Sequence, residues 1–145
     1  MKLSTRVRYG VRLMIALALN YGNGPILLKD IARGENISEK YLSIIMIPLR
    51  SAGLVNSNRG AYGGYTLARE PSHINLKEIV DVLEDSSLVD CVKHPSACPR
   101  VPICVSRDVW ALIGGKISDT LSSITLDALV RMNREKAQQA IMHNI

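Results

Sequence analysis

The chain has 145 residues, 18 Lys or Arg against 13 Asp or Glu, and 47% apolar residues with 21% charged. That balance excludes a disordered chain, and the length excludes two full domains. The longest apolar run, Leu13 to Leu19, has seven residues, far short of the ~20 that a membrane-spanning helix needs.

Basic residues before that run imitate a signal peptide, and Ala16-Leu17-Ala18 imitates a cleavage site. The apolar stretch left upstream is too short for a secretory leader. The expectation is a cytoplasmic protein with no membrane association and reduced cysteines. Charge is unevenly placed. Residues 1–70 hold ten Lys or Arg and four acids, whereas residues 71–145 hold eight and nine. A basic half suggests a polyanion partner, foremost nucleic acid; a generically basic surface is the alternative.

In chain order, Val7, Val11, Met14, Ile15, Ala18 and Leu19 recur at helical spacing and predict a helix over 3–21, capped by Ser4 and stopped by Gly22-Asn23-Gly24-Pro25. A short helix is expected over 28–33, ending at Gly34. Ser38 then caps a third helix that runs to about Ser51, with Tyr41, Leu42, Ile45 and Leu49 on one face and Pro48 inside. Gly53 closes it. The period then changes to two, which predicts strands at 54–58 and 65–68 around the glycine-rich tip Arg59-Gly60-Ala61-Tyr62-Gly63-Gly64. Three helices followed by a β-hairpin is the order of a winged helix-turn-helix, whose third helix enters the major groove.

Beyond Pro71 a helix is expected over 74–84, its acids Glu78, Asp81, Glu84 and Asp85 forming a solvated face. Residues 86–103 carry three prolines and are expected to be irregular. From Val105 a long helix carries Val109, Leu112, Ile113, Ile117 and Leu121 at helical spacing along one stripe. That stripe reads as a dimer seam, and Gly114-Gly115 at its middle either permits close helix approach or weakens the helix. Thr125 caps a last short helix before a weakly determined tail from Asn133. The fold class is therefore mostly α with a small β-hairpin wing, in three segments: a DNA-binding domain at 1–70, a connecting helix and cysteine loop at 71–103, and a dimerisation helix and tail at 104–145.

All three cysteines fall in one proline-rich stretch, Cys91-x6-Cys98-x5-Cys104. Clustered thiols point to metal or redox chemistry, and thiolates suit zinc or iron–sulfur clusters. The spacing lacks the paired C-x2-C of most zinc ribbons. Incidental thiols or a disulfide are the alternative. His94, inside the loop, is the candidate fourth ligand.

Three stretches, Ile37-Ser38-Glu39-Lys40-Tyr41-Leu42, Pro48-Leu49-Arg50-Ser51-Ala52-Gly53-Leu54-Val55 and Arg59-Gly60-Ala61-Tyr62-Gly63-Gly64-Tyr65-Thr66-Leu67-Ala68, resemble the signature of the Rrf-type winged-helix transcriptional regulators. The cysteine loop, Asp108-Val109-Trp110 and Ser123-Ile124-Thr125-Leu126 resemble its IscR-like, iron–sulfur branch. The resemblance runs from Met1 to about Val130. It implies a homodimer on a double-stranded DNA operator and a cluster, 2Fe–2S in preference to 4Fe–4S, on Cys91, Cys98 and Cys104. Its base-reading positions map onto Ser38, Lys40, Ser43 and Ile44. Tyr41, Arg50, Arg59, Gly60, Tyr62 and Gly63 complete the expected DNA contacts, with Arg59 in or beside the minor groove.

Two departures stand out. The branch's histidine ligand, three residues after the last cysteine, is here Arg107, which stays protonated and cannot ligate. The N-terminal aspartate used by nitric-oxide-sensing relatives is here Arg8. The expected function is a homodimeric regulator sensing iron–sulfur status or redox and nitrosative signals. A thiol-switch regulator without metal and an iron–sulfur carrier are the alternatives. An enzyme is not expected: no nucleophile with a base, phosphate loop or acid pair in an apolar setting is visible.

Overall fold

A computed structural model describes residues 1–144 of the chain. Its order is α1 (Thr5–Leu19), α2 (Leu28–Glu35), α3 (Glu39–Ser51), β1 (Val55–Asn58), β2 (Gly64–Leu67), α4 (Leu76–Leu83), α5 (Asp90–Lys93), α6 (Val105–Ser123) and α7 (Leu126–His143). The expected class, mostly helical with a two-stranded antiparallel hairpin, is what forms.

Local chemistry sets the helix ends. The hydroxyls of Ser4, Ser38 and Thr125 accept the backbone N–H of Val7, Tyr41 and Ala128, which satisfies one orphan donor at each helix start. The start of α4 has a reciprocal cap: Asn75 accepts from the N–H of Glu78, whose carboxylate accepts from the N–H of Asn75. Gly34 does not end α2. Asn36 does, in the left-handed region at φ 54°, a conformation asparagine tolerates, and buried Ile37 follows it.

The core is one cluster of aliphatic and methionine side chains, as a chain without Phe requires. Leu13, Met14 and Leu17 of α1 meet Leu42, Ile45, Met46 and Leu49 of α3, with Ile79, Val80 and Leu83 of α4 beside them. Leu126 and Val130 of α7 enter the same cluster. The core therefore runs through residue 70, where the first segment was expected to end, and takes in the first turns of the last helix. An antiparallel bridge fastens that return: the N–H of Leu76 donates to the carbonyl of Ile124 at 2.8 Å, and that of Leu126 to Ile74 at 2.9 Å. This bridge holds Ile74 extended, so α4 starts two residues later than periodicity suggests.

Two expectations need correction. Residues 86–103 are not wholly irregular, since α5 and single 3-10 turns at Pro95–Ala97 and Val101–Ile103 form where proline's fixed φ opens a turn. The final helix is not short either. α7 has 18 residues, because strong helix formers such as Arg134, Glu135, Lys136, Ala137, Gln138 and Gln139 carry it through the polar stretch expected to fray. No described helix is long and apolar enough to cross a membrane.

Candidate nucleic-acid interface and cysteine loop

Helix α3 has two faces. Leu42, Ile45, Met46 and Leu49 are buried, while Lys40, Ser43, Ile44, Ile47, Arg50 and Ser51 lie exposed on the opposite stripe. Ser38 caps the helix, its hydroxyl 3.2 Å from the N–H of Tyr41, and the Ser43 hydroxyl donates to the carbonyl of Lys40 at 2.6 Å. Ser38 is thus tied to helix geometry in the free protein. Tyr41 is half-buried and meets the Tyr9 ring edge to face at 5.7 Å. Its ring packs α3 on α1.

The hairpin pairs Val55 with Leu67 through to Asn58 with Gly64. A third short stretch joins it, as Ile26 and Tyr65 exchange two backbone hydrogen bonds of 3.1 and 2.9 Å. Gly64, at φ 145°, lies so close that a Cβ there would sit 2.6 Å from the Ile26 carbonyl oxygen. At Gly63 a Cβ would sit 2.5 Å from the Asn58 carbonyl. These two glycines shape the wing. Beyond them Arg59, Gly60 and Tyr62 project at the tip, Tyr62 with 92% of its surface exposed.

Cations divide by use. Arg12 binds Glu35 and lies 5.5 Å over the Tyr9 ring, and Arg69 donates to Glu78 at 2.7 Å and to the His73 carbonyl. Burial alone would raise the Glu78 carboxyl, but the Arg69 hydrogen bond and the Asn75 N–H overcome it, and its pKa lies below the ordinary range. Lys29, Lys40, Arg50 and Arg59 are exposed and make no salt bridge among the described residues. These four lie at the start of α2, on the open stripe of α3 and at the wing tip; Lys2, Arg6, Arg8, Arg33, Arg100, Lys116, Arg134 and Lys136 likewise make no salt bridge among the described residues.

The cysteine loop leans on α6. Cys91 lies in α5, Cys98 follows the first 3-10 turn, and Cys104 is the N-cap of α6. All three thiols are free and half-exposed. Arg107, in the histidine's place, donates through Nε to the Cys91 carbonyl at 3.0 Å and so ties the loop to the first turn of α6. The Ser106 hydroxyl 3.2 Å from Cys104 Sγ, the Arg107 N–H and the nearby Arg100 lower the Cys104 thiol pKa. Among the described residues, no three His, Cys, Asp or Glu side chains are gathered in a metal-binding arrangement.

The family model for Rrf2, iron-dependent transcriptional regulators, matches residues 3–132. The chain belongs to the Rrf2 family. Over its whole length it is 41% identical to the HTH-type transcriptional regulator CymR of Bacillus subtilis, and covers all of that protein. The solved structure of B. subtilis CymR, described as a global cysteine regulator, superposes with a TM-score of 0.77 over 91% of this chain and 98% of that one. That of T. potens IscR gives 0.78 at 41% identity, over 95% and 91%. The family and its relatives are transcriptional regulators, and the fold class agrees.

Ile47 was not singled out from sequence. It is one turn beyond Ile44 on the exposed stripe, so the helical period that marked the buried face also marks it.

Proposed function

We propose that the chain is a cytoplasmic, homodimeric transcriptional regulator in which each α3-and-wing unit reads half of a double-stranded DNA operator. The observation that carries this reading is the open stripe of α3, with Lys40 and Arg50 toward its ends and the unpaired Arg59 on the wing beside it. The dimer reading is supported by α6, which buries none of its 19 residues completely and exposes Val105, Val109, Trp110 and Leu112. At Gly114 and Gly115 an added Cβ would meet nothing within 4 Å. Packing inside the chain does not require glycine there, so close approach by a second helix is a reason for it. Of the expected seam, Ile113 and Ile117 are half-buried and Leu121 packs on its own core, which leaves Val109 and Leu112 as the freest members.

The signal enters through Cys91, Cys98 and Cys104. Thiolates are the donors that iron–sulfur clusters take, and all three are accessible. They are not assembled as folded here, so the loop must close to hold a cluster, which couples binding to local folding. Cys91, Cys98 and Cys104 would hold it, 2Fe–2S in preference to 4Fe–4S, and His94, one helical turn from Cys91 and exposed, would complete the set. When bound, the group would supply an iron-dependent clamp on the loop. Through Arg107 and the Cys104 cap, any change in the loop reaches α6 and the spacing of the two DNA-reading halves.

One observation favours a metal-free thiol switch as the second reading: Ser106 and the Arg107 N–H lower the Cys104 thiol pKa, and among the described residues no ligand set is assembled around it. The likeness to a global cysteine regulator fits that reading equally well. The deciding experiment counts iron and sulfide per chain after anaerobic reconstitution, and measures operator affinity for reduced, peroxide-treated and reconstituted protein. Stoichiometric iron and sulfide, lost in each Cys→Ala variant and spectrally shifted in His94→Ala, establishes the cluster. An affinity change on oxidation, reversed by dithiol and without retained iron, establishes the thiol switch.

A further inference from the structure

The centre of the reading stripe is apolar. Ile44 and Ile47 leave 49% and 63% of their surface exposed. They are one helical turn apart on the face opposite Leu42, Ile45 and Leu49. Lys40 and Arg50 lie ten residues apart on the same stripe, which spans about 15 Å of helix. Ile47 also lines a groove with Arg50, Ser51, Val55, Asn56, Ser57 and Asn58, so the stripe runs on into a mostly polar groove along the first strand of the wing, and the apolar patch ends at Ile47. Pro48 has no N–H to donate, which leaves the Ile44 carbonyl without its usual helical partner.

Two isoleucines held in water between cations need an apolar partner that carries negative charge on either side. A protein core offers no flanking charge, whereas the major groove of DNA offers both. Phosphates flank the groove, and the C5-methyl of thymine is the one apolar group on its floor. Side chains such as these make no hydrogen bond to guanine, cytosine or adenine, and would leave those base edges desolvated and unpaired.

We infer that Ile44 and Ile47 read thymine methyl groups at the centre of each half-site, so that the operator carries A·T pairs there in a fixed strand orientation. Lys40 and Arg50 hold the phosphates on either side and set the register. The inference rests on the DNA-reading role proposed above and adds the base class that the helix selects.

The test uses the full-length protein and a randomised duplex pool. The enriched duplex is resynthesised with each thymine replaced singly by deoxyuridine, which deletes only the methyl group. One buried methyl is worth about a 3- to 5-fold change in affinity. Wild type is expected to lose about that factor at one or two central thymines per half-site. Ile44→Ala and Ile47→Ala are each expected to lose the methyl dependence at the thymine that isoleucine covers, and the double variant to bind the thymine and uracil duplexes equally. Both residues are exposed, so their truncation leaves the core intact, and the uracil series on wild type needs no variant. Enriched duplexes without central thymines, or uracil substitutions silent throughout, overturn the inference while leaving DNA reading in place. Methyl dependence that survives in the double variant overturns the assignment to these isoleucines. Failure to enrich any duplex overturns the DNA-reading role and the inference with it.

Discussion

Substituting Gly64 by Ala tests whether the wing is held by backbone contact with the segment before α2. Gly64 has φ 145°, a region nearly closed to residues with a Cβ, and occupying it costs about 1 to 3 kcal/mol. The new methyl group would also stand 2.6 Å from the Ile26 carbonyl oxygen and 2.7 Å from its carbon. Backbone cannot rotate aside as a side chain can, so the Ile26–Tyr65 bridge must open. Its two hydrogen bonds contribute about 0.5 to 1.5 kcal/mol each. The expected loss is about 2 to 6 kcal/mol, and each kcal/mol moves the melting midpoint of a chain this long by about 2 to 4 °C. Gly60→Ala is the control: at φ 103° it carries the backbone strain, but nothing lies within 4 Å of its added Cβ. Melting at matched protein concentration should rank wild type above Gly60→Ala above Gly64→Ala. Amide exchange at Ile26 and Tyr65 should accelerate in Gly64→Ala alone. Wild-type exchange at both amides in Gly64→Ala would refute the reasoning, because the bridge would then tolerate the methyl group.

Arg59→Ala should alter which sequences are preferred, not only overall affinity; equal loss on specific and random duplexes, with a shallower salt slope, would leave it a phosphate contact. Leu112→Asp places a charge on the freest seam position, where 62% of the side chain is exposed in the single chain. It should leave the fold intact and weaken dimerisation by about 3 to 5 kcal/mol. Light scattering at micromolar concentration showing an unchanged dimer would move the interface off that face. Glu78 has a folded-state pKa below its ordinary 4.5, so the stability it adds is present above pH 4.5 and lost as pH falls through the lowered value. Glu78→Gln should therefore cost about 0.5 to 1 kcal/mol at pH 7, and the difference from wild type should shrink in urea titrations below pH 4.5. A difference independent of pH would assign the effect to the hydrogen-bonded cap and not to the charge.

The helices and the hairpin were legible in the sequence because their signals are local. The period of 3.6 in Val7–Leu19, the Ser38 cap and the switch to period two after Gly53 depend on neighbours within one or two turns, so no tertiary contact was needed to read them. The reading stripe of α3 was half legible. Leu42, Ile45 and Leu49 mark its buried face, and whatever is left must face outward, Ile47 included. The length of the last helix is carried by local propensity that its polar composition hid, whereas the reach of the core past residue 70 has no local signal. What places Ile79, Leu83, Leu126 and Val130 in one core is the bridge between residues 74–76 and 124–126, and pairing across some fifty residues leaves no local period.

The cysteine loop shows the same division. Its three thiols, the missing histidine and Arg107 were all visible as letters. That Arg107 bonds the Cys91 carbonyl, that Ser106 and Arg107 lower the Cys104 thiol, and that the thiols remain apart were decided by how α5 packs on α6. Sequence determines which donors and charges exist and on which local element each is carried. Distances between elements follow from the packing of the whole core, and a site assembled from several elements is settled only there.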